Sequence, residues 1–183
     1  YYCGEIADEV IAAANKCLEN GYNLKSRNAD CIKNIMEGFL VTGLGMAFTG
    51  NSRPASGSEH IIAHSWELES VETGERPNLH GLEVCEGTRI IADMYRLLYS
   101  ETDDGHLKSL IEKYLPYFDK VEEFCTEMQM PDVTTDYDTI LRAIKRALGL
   151  RDRYTILFYL RDKGQFERYA DYAAKKFIER ANG

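Results

Sequence analysis

YTILFYL, residues 154–160, decides the fold class of this chain. Its β-branched and aromatic residues are what a buried strand carries, and they suit a buried helix equally well. A short apolar run cannot separate the two by periodicity. Its setting can. From residue 5 onward, apolar residues recur at three- and four-residue spacing, so the segment is assigned to helix. The chain is accordingly expected to be all-α, a helical bundle forming a single domain over residues 1–183.

The other elements follow outward from that segment. Helices are expected over 165–181, 151–163, 135–148, 117–129 and 104–115, with Gly105, Pro116, Pro131, Gly149 and Gly164 at or near their ends. Upstream, a helix follows Leu79-His80-Gly81, with Val84, Thr88, Ile91, Tyr95 and Leu98 inward. The loop TGERPN (73–78) separates it from a helix capped by Ser56 or Ser58 and running to about Val71. Before the loop at 50–57, Asn28 is expected to cap a long helix. Its core face would be Ile32, Ile35, Met36, Phe39, Leu40, Leu44 and Phe48. Gly38, Gly43 and Gly45 lie inside it, each costing about 1 kcal/mol relative to Ala, which points to close approach by a neighbouring backbone. The first helix covers 5–20 and stops at Gly21. The tyrosines, including Tyr1 and Tyr2, are read as core and interface aromatics.

Bulk properties narrow the function. The net charge of −8 argues against nucleic acid and anionic membranes as main partners. No apolar run of the roughly 20 residues needed to span a bilayer stands out, and no signal peptide precedes the first helix. The five cysteines, Cys3, Cys17, Cys31, Cys85 and Cys125, are widely spaced without a CxxC pair. They read as reduced thiols of a cytoplasmic protein. No GxGxxG follows a strand and no P-loop is present, so a nucleotide would have to be held outside these residues. A helical pattern that begins almost at the first residue, Tyr1, suggests part of a longer chain.

Chemistry concentrates in GNSRPASGSEHIIAHSWELE, residues 50–69. His60 and His64 stand at i and i+4 and share a helix face. His80 opens the next helix, and the intervening loop leaves room for it to converge on His60 without requiring it. Neutral imidazoles suit Zn, Ni or Fe, and a catalytic site usually takes three protein ligands. Surface histidines are the alternative. Glu59 and Glu67 flank the pair, either as carboxylates orienting the rings or as solvated charges. The Ser/Gly loop leading into a helix N-terminus offers N–H groups to an anion, with Arg53 as a bidentate partner.

SRPASGSEHIIAH, with LHG at 79–81, resembles the signature of the sn-glycerol-1-phosphate dehydrogenases, and LRDRYTILFYLRDKG resembles that family's closing helices. The family belongs to the superfamily of iron-containing alcohol dehydrogenases, glycerol dehydrogenases and dehydroquinate synthases. The resemblance implies the C-terminal helical half of a two-domain fold, with a Rossmann-like NAD(P)-binding half preceding residue 1. It implies His60 and His80 as ligands of a divalent metal (Zn or Ni), joined by an Asp upstream of this chain. It implies His64 as a substrate-facing catalytic residue, with Arg53, Ser56 and Ser58 near the polar end of the substrate. Cys85 departs from the glycine usual at that place, which bears on close packing of its helix.

The expected chemistry is hydride transfer between NAD(P)H and dihydroxyacetone phosphate, giving sn-glycerol 1-phosphate, with the metal polarising the carbonyl. The chain alone should be inactive, with the ligating Asp and the nucleotide site expected upstream, and self-association through an uncovered wall is a further expectation. Two alternatives stay open. One is a dehydroquinate-synthase-like lyase, which a substrate screen would separate. The other is a non-catalytic helical module, which metal content would separate.

Overall fold

The computed structural model describes residues 3–182. Tyr1 and Tyr2 lie outside them. The described residues form nine α-helices and no strand, so the all-α expectation holds, and residues 156–160 of the deciding stretch are helical. The chain divides into two compact units, residues 1–57 with 120–129, and residues 58–119 with 130–183.

In the first unit, α1 (Gly4–Gly21) packs on α2 (Ala29–Thr49). The Asn28 side chain caps α2, accepting from the Cys31 N–H at 3.0 Å, as expected. Three small residues at seven-residue spacing, Cys31, Gly38 and Gly45, form the buried line of α2. A Cβ on Gly38 would lie 2.6 Å from the Cys17 sulfur, and one on Gly45 3.2 Å from Val10, so α1 docks where side chains are smallest. Gly43 has open space and plays no such part. At the end of α1, Gly21 and Tyr22 meet Phe124, with the two rings 5.3 Å apart.

That docking reverses the expected orientation of α2. Ile32, Met36, Phe39, Leu40, Leu44 and Phe48 are exposed, Phe48 at 78%, instead of facing the core. The hydrophobic stripe was legible, but α1 takes the glycine side. By length and composition alone α2 is long and apolar enough to cross a membrane, with a mean hydropathy of 1.2. Asp30, Lys33 and Glu37 interrupt it, so the expectation that no uninterrupted apolar run reaches about 20 residues stands.

In the second unit, α4 (His80–Glu101) is the central element. It packs against α3 (Ser58–Thr73) and α9 (Phe166–Ala181), and both also touch α7 (Tyr137–Leu150). Ile61, Ile62 and Trp66 of α3 meet Ile90, Met94 and Leu98 of α4, with Ile140 and Ile144 of α7 and Tyr169 and Phe177 of α9 in the same core. The short helix α8 (Ile156–Asp162) buries Leu157 and Leu160 and ends before Gly164, whose φ of +66° suits a residue without Cβ. Between α4 and α7 run α5 (Gly105–Glu112) and α6 (Leu115–Met128), the latter continuing into the first unit. Asp104 caps α5 through the N–H groups of His106 and Leu107, leaving His106 at the surface.

Polar contacts fix the seams. Arg142 and Arg146 of α7 reach Glu69 and Glu72 of α3. Glu101 of α4 accepts from Arg168 and from the Tyr169 hydroxyl of α9, and these bonds, with Arg168 first, draw its carboxyl down to about 2. Arg180 of α9 reaches Asp93 of α4 at 2.5 Å.

Candidate functional site

Helices α3 and α4 are joined by residues 74–79, where Gly74 adopts φ +74°. Leu79 is extended, and His80 is the first residue of α4. This connection sets His80 beside the middle of α3. Three imidazoles from two helices therefore converge: ring centres lie 5.3 Å apart for His60–His80, 5.6 Å for His64–His80 and 6.4 Å for His60–His64. The convergence that spacing alone left open is made.

Each ring is held through Nδ1 by a carboxylate. His60 Nδ1 lies 2.9 Å from Glu59 Oε1, His64 Nδ1 2.7 Å from Glu67 Oε2, and His80 Nδ1 2.7 Å from Glu67 Oε1. An ionised carboxylate only accepts, so Nδ1 carries the hydrogen in each pair. In a neutral ring, the lone pair then sits on Nε2. Burial works against ionisation of Glu67, but hydrogen bonds from His64 and His80 outweigh it, and its carboxyl sits below the usual range. Among the described residues, candidate ligand atoms of His64, Glu67 and His80 lie within 4.8 Å of one another, and both Glu67 oxygens are engaged by the rings.

Close packing sets the start of α3 against α4. A Cβ on Gly87 would lie 2.5 Å from the carbonyl oxygen of Glu59, the residue before His60. The close approach that Cys85 called into question is thus made two residues on, by Gly87. An open groove of about 410 Å³ runs from His64 and Glu67 over Leu68 and Val71 to Leu150 and Arg151.

Two carboxylates of α4 escaped the sequence reading. Glu83 and Glu86 are fully buried, whereas Val84, Thr88 and Tyr95, expected inward, are only half-buried. The signal was available: stepping back from Ile90 and Met94 by heptad intervals gives Glu83 and Gly87. Burial pushes the Glu83 carboxyl up to about 7, with the Glu67 charge adding to it, while Asn78 and His80 pull the other way. Burial also raises Glu86, opposed by Arg89, whose Nη1 lies 2.9 Å away.

Of the remaining candidates, Ser58 is buried as the first residue of α3. Exposed Arg53 opens a 3₁₀ turn with half-buried Pro54 and Ala55, and Ser56 follows in extended conformation. Arg53 and Ser56 belong to the first unit, and Ser58 and the three histidines to the second.

No protein-family model matches the chain. Among curated proteins, it is 30% identical over 172 residues to a glycerol-1-phosphate dehydrogenase, NAD(P)+, of Bacillus licheniformis, which covers 89% of this chain and 43% of that relative. It is 28% identical over 158 residues to the protein of the same name from Korarchaeum cryptofilum, covering 85% and 45%. For that of Bacillus subtilis the match is 30% over 162 residues, covering 82% and 40%. The chain thus resembles the glycerol-1-phosphate dehydrogenases over most of its own length while spanning less than half of theirs.

Proposed function

We propose that this chain is the helical, metal- and substrate-binding part of a longer NAD(P)-dependent glycerol-1-phosphate dehydrogenase, interconverting dihydroxyacetone phosphate and sn-glycerol 1-phosphate in the cytoplasm. The observation that carries the proposal is the convergence of three imidazoles whose Nδ1 atoms are all taken up by carboxylates. The relatives' shared name supports the same activity.

The donor set fits a divalent ion. Two imidazoles on one tetrahedral ion, at the usual Zn–N distance of about 2.0–2.1 Å, hold their ring centres roughly 5 Å apart. His60 and His80 stand at 5.3 Å. Carboxylates on Nδ1 leave Nε2 basic and oriented, the usual support of a ligating histidine. His60 and His80 are therefore the proposed ligands, with a third from the longer protein. When bound, Zn or Ni would supply Lewis acidity toward the substrate oxygen, and NAD(P)H, held by a domain outside these residues, would supply the hydride.

His64 has the proton-handling role. In alcohol oxidation its Nε2 accepts the hydroxyl proton, and Glu67 stabilises the resulting imidazolium; in reduction the proton returns to the alkoxide. Ser58, Ser56 and Arg53 are proposed to meet the polar end of the substrate. With the nucleotide site and the third ligand assigned to the longer protein, the isolated chain is expected to be inactive.

Metal analysis and turnover of the longer protein test the assignment. His60→Ala and His80→Ala should each remove most bound metal. His64→Ala should keep the metal and lose about 10²–10⁴-fold in turnover. Equal metal loss in all three variants would overturn the division of roles.

A further inference from the structure

Glu67 stands apart from the other carboxylates of the site because it serves two rings. Its Oε2 takes the Nδ1–H of His64, three residues earlier on α3, and its Oε1 takes that of His80, the first residue of α4, both at 2.7 Å. Glu59, by contrast, meets the ring of His60, its own neighbour. We infer that Glu67 is a positioning residue that locks His64 and His80 into one tautomer and one mutual orientation, tying the start of α4 to the middle of α3. The functional part of this inference rests on the roles proposed above for the two histidines; the structural part does not.

The physical case has three parts. First, a carboxylate has two oxygens and accepts at each, so one side chain can satisfy both rings; an amide has only one accepting oxygen. Second, both bonds are charge-assisted, the stronger class of hydrogen bond. Third, the bond to Glu67 fixes the Nδ1 side of the His80 ring, which otherwise meets only the rings of His60 and His64 among the contacts described above. It is half-exposed at a helix start, and its backbone neighbour Leu79 makes no side-chain cap. Without Glu67, the His80 ring can turn about χ2, and its Nε2 loses the direction that the Nδ1 bond to Glu67 gives it. The Glu67 bond also brings His64 and His80 within 5.6 Å in a stacked arrangement, so a proton-handling ring and a ligating ring share one anchor.

The test uses the full 183-residue chain without added metal, at a pH where its imidazoles are neutral. Nitrogen-15 NMR distinguishes a protonated from an unprotonated ring nitrogen. The expected wild-type result is Nδ1–H with bare Nε2 in both His64 and His80. Glu67→Gln, nearly isosteric, can keep only one of the two bonds, so at least one ring should lose the Nδ1–H signature. Glu67→Ala should free both rings. Glu72→Gln, on the same helix, should leave both signatures intact and controls for folding. Nε2–H in either wild-type ring, or unchanged signatures in a folded Glu67→Ala chain, would overturn the inference. In the longer protein, Glu67→Gln should also weaken metal binding by about 10–100-fold. Unaltered metal affinity beside altered tautomers would sink the positioning role, while wild-type protein that binds no metal would sink the dehydrogenase proposal and leave the tautomer result standing.

Discussion

Gly87→Ala is the substitution through which the packing beneath the site can be measured. Gly87 sits inside α4, where Ala is intrinsically favoured by about 1 kcal/mol. The added Cβ, however, would lie 2.5 Å from the Glu59 carbonyl oxygen and 3.1 Å from its carbonyl carbon and Cα. These are backbone atoms in the first turn of α3 and cannot swing aside. Ordinary contact begins at 3.4 Å, so the two helices must part by close to the 0.9 Å difference between 3.4 and 2.5. Overpacking of this kind costs about 1–3 kcal/mol. At the middle of that range the clash exceeds the propensity gain, leaving a net loss of about 1 kcal/mol. Thermal unfolding followed by circular dichroism should then show Tm falling by roughly 2–4 °C. Gly43→Ala is the opposite case: it lies in a helix, half-buried, with nothing within 4 Å of its Cβ position, and should raise stability by about 0.5–1 kcal/mol. Equal shifts of the same sign in both variants would refute the close-approach account. The displacement also passes to His60, next to Glu59, and a misplacement near 1 Å can cost about 10²-fold in turnover of the longer protein.

Two further predictions concern titration. Glu83 is fully buried, with its folded-state value raised from 4.5 to about 7, so the folded chain holds a proton that the unfolded chain has already released. Stability of the metal-free chain should therefore fall as pH rises from about 4.5 to about 7 and level off above that, and Glu83→Gln should flatten this slope in urea titrations at several pH values. A slope unchanged in Glu83→Gln would assign the effect to another group. Glu101 has the opposite sign: Arg168 and Tyr169 lower it to about 2, so its contribution is present above 4.5 and is lost as pH falls toward 2. Glu101→Gln should lower Tm at neutral pH and lose part of the acid-induced fall, and an acid limb identical to wild type would show that the α4–α9 contact carries no linkage.

The helices were legible because their signals are local. Asn28 caps α2, Gly164 turns the chain after α8, and the stretch around residue 156 takes the helical state of its neighbours. The facing of α2 was not legible. Its apolar stripe and its line of Cys31, Gly38 and Gly45 both mark contact faces, and periodicity does not rank them. The small-residue line lets α1 approach closely and wins, which leaves Phe39, Leu40 and Phe48 outside. Buried charge on α4 was missed for a related reason. Glu83 and Glu86 lie seven and four residues before Ile90, on the same helix face, but carboxylates are almost never fully buried without partners, so a pattern based on hydrophobicity skips them.

The histidine cluster shows where sequence distance stops being informative. His60 and His64 share a face by helix geometry alone, so that pair follows from spacing. His80 does not, because a six-residue link can deliver the next helix at many angles. Only the family resemblance pointed to its convergence with His60. Glu67 was weighed as a carboxylate that orients a ring or as one that merely faces water, and i+3 from His64 is compatible with both. What decides between them is the position of His80, 13 residues away, whose Nδ1 meets the oxygen that His64 leaves free. A residue's role as an anchor is thus set by a partner that its own helix cannot reveal, and Glu67 becomes recognisable only once the chain has turned at Gly74 and brought the next helix back to it.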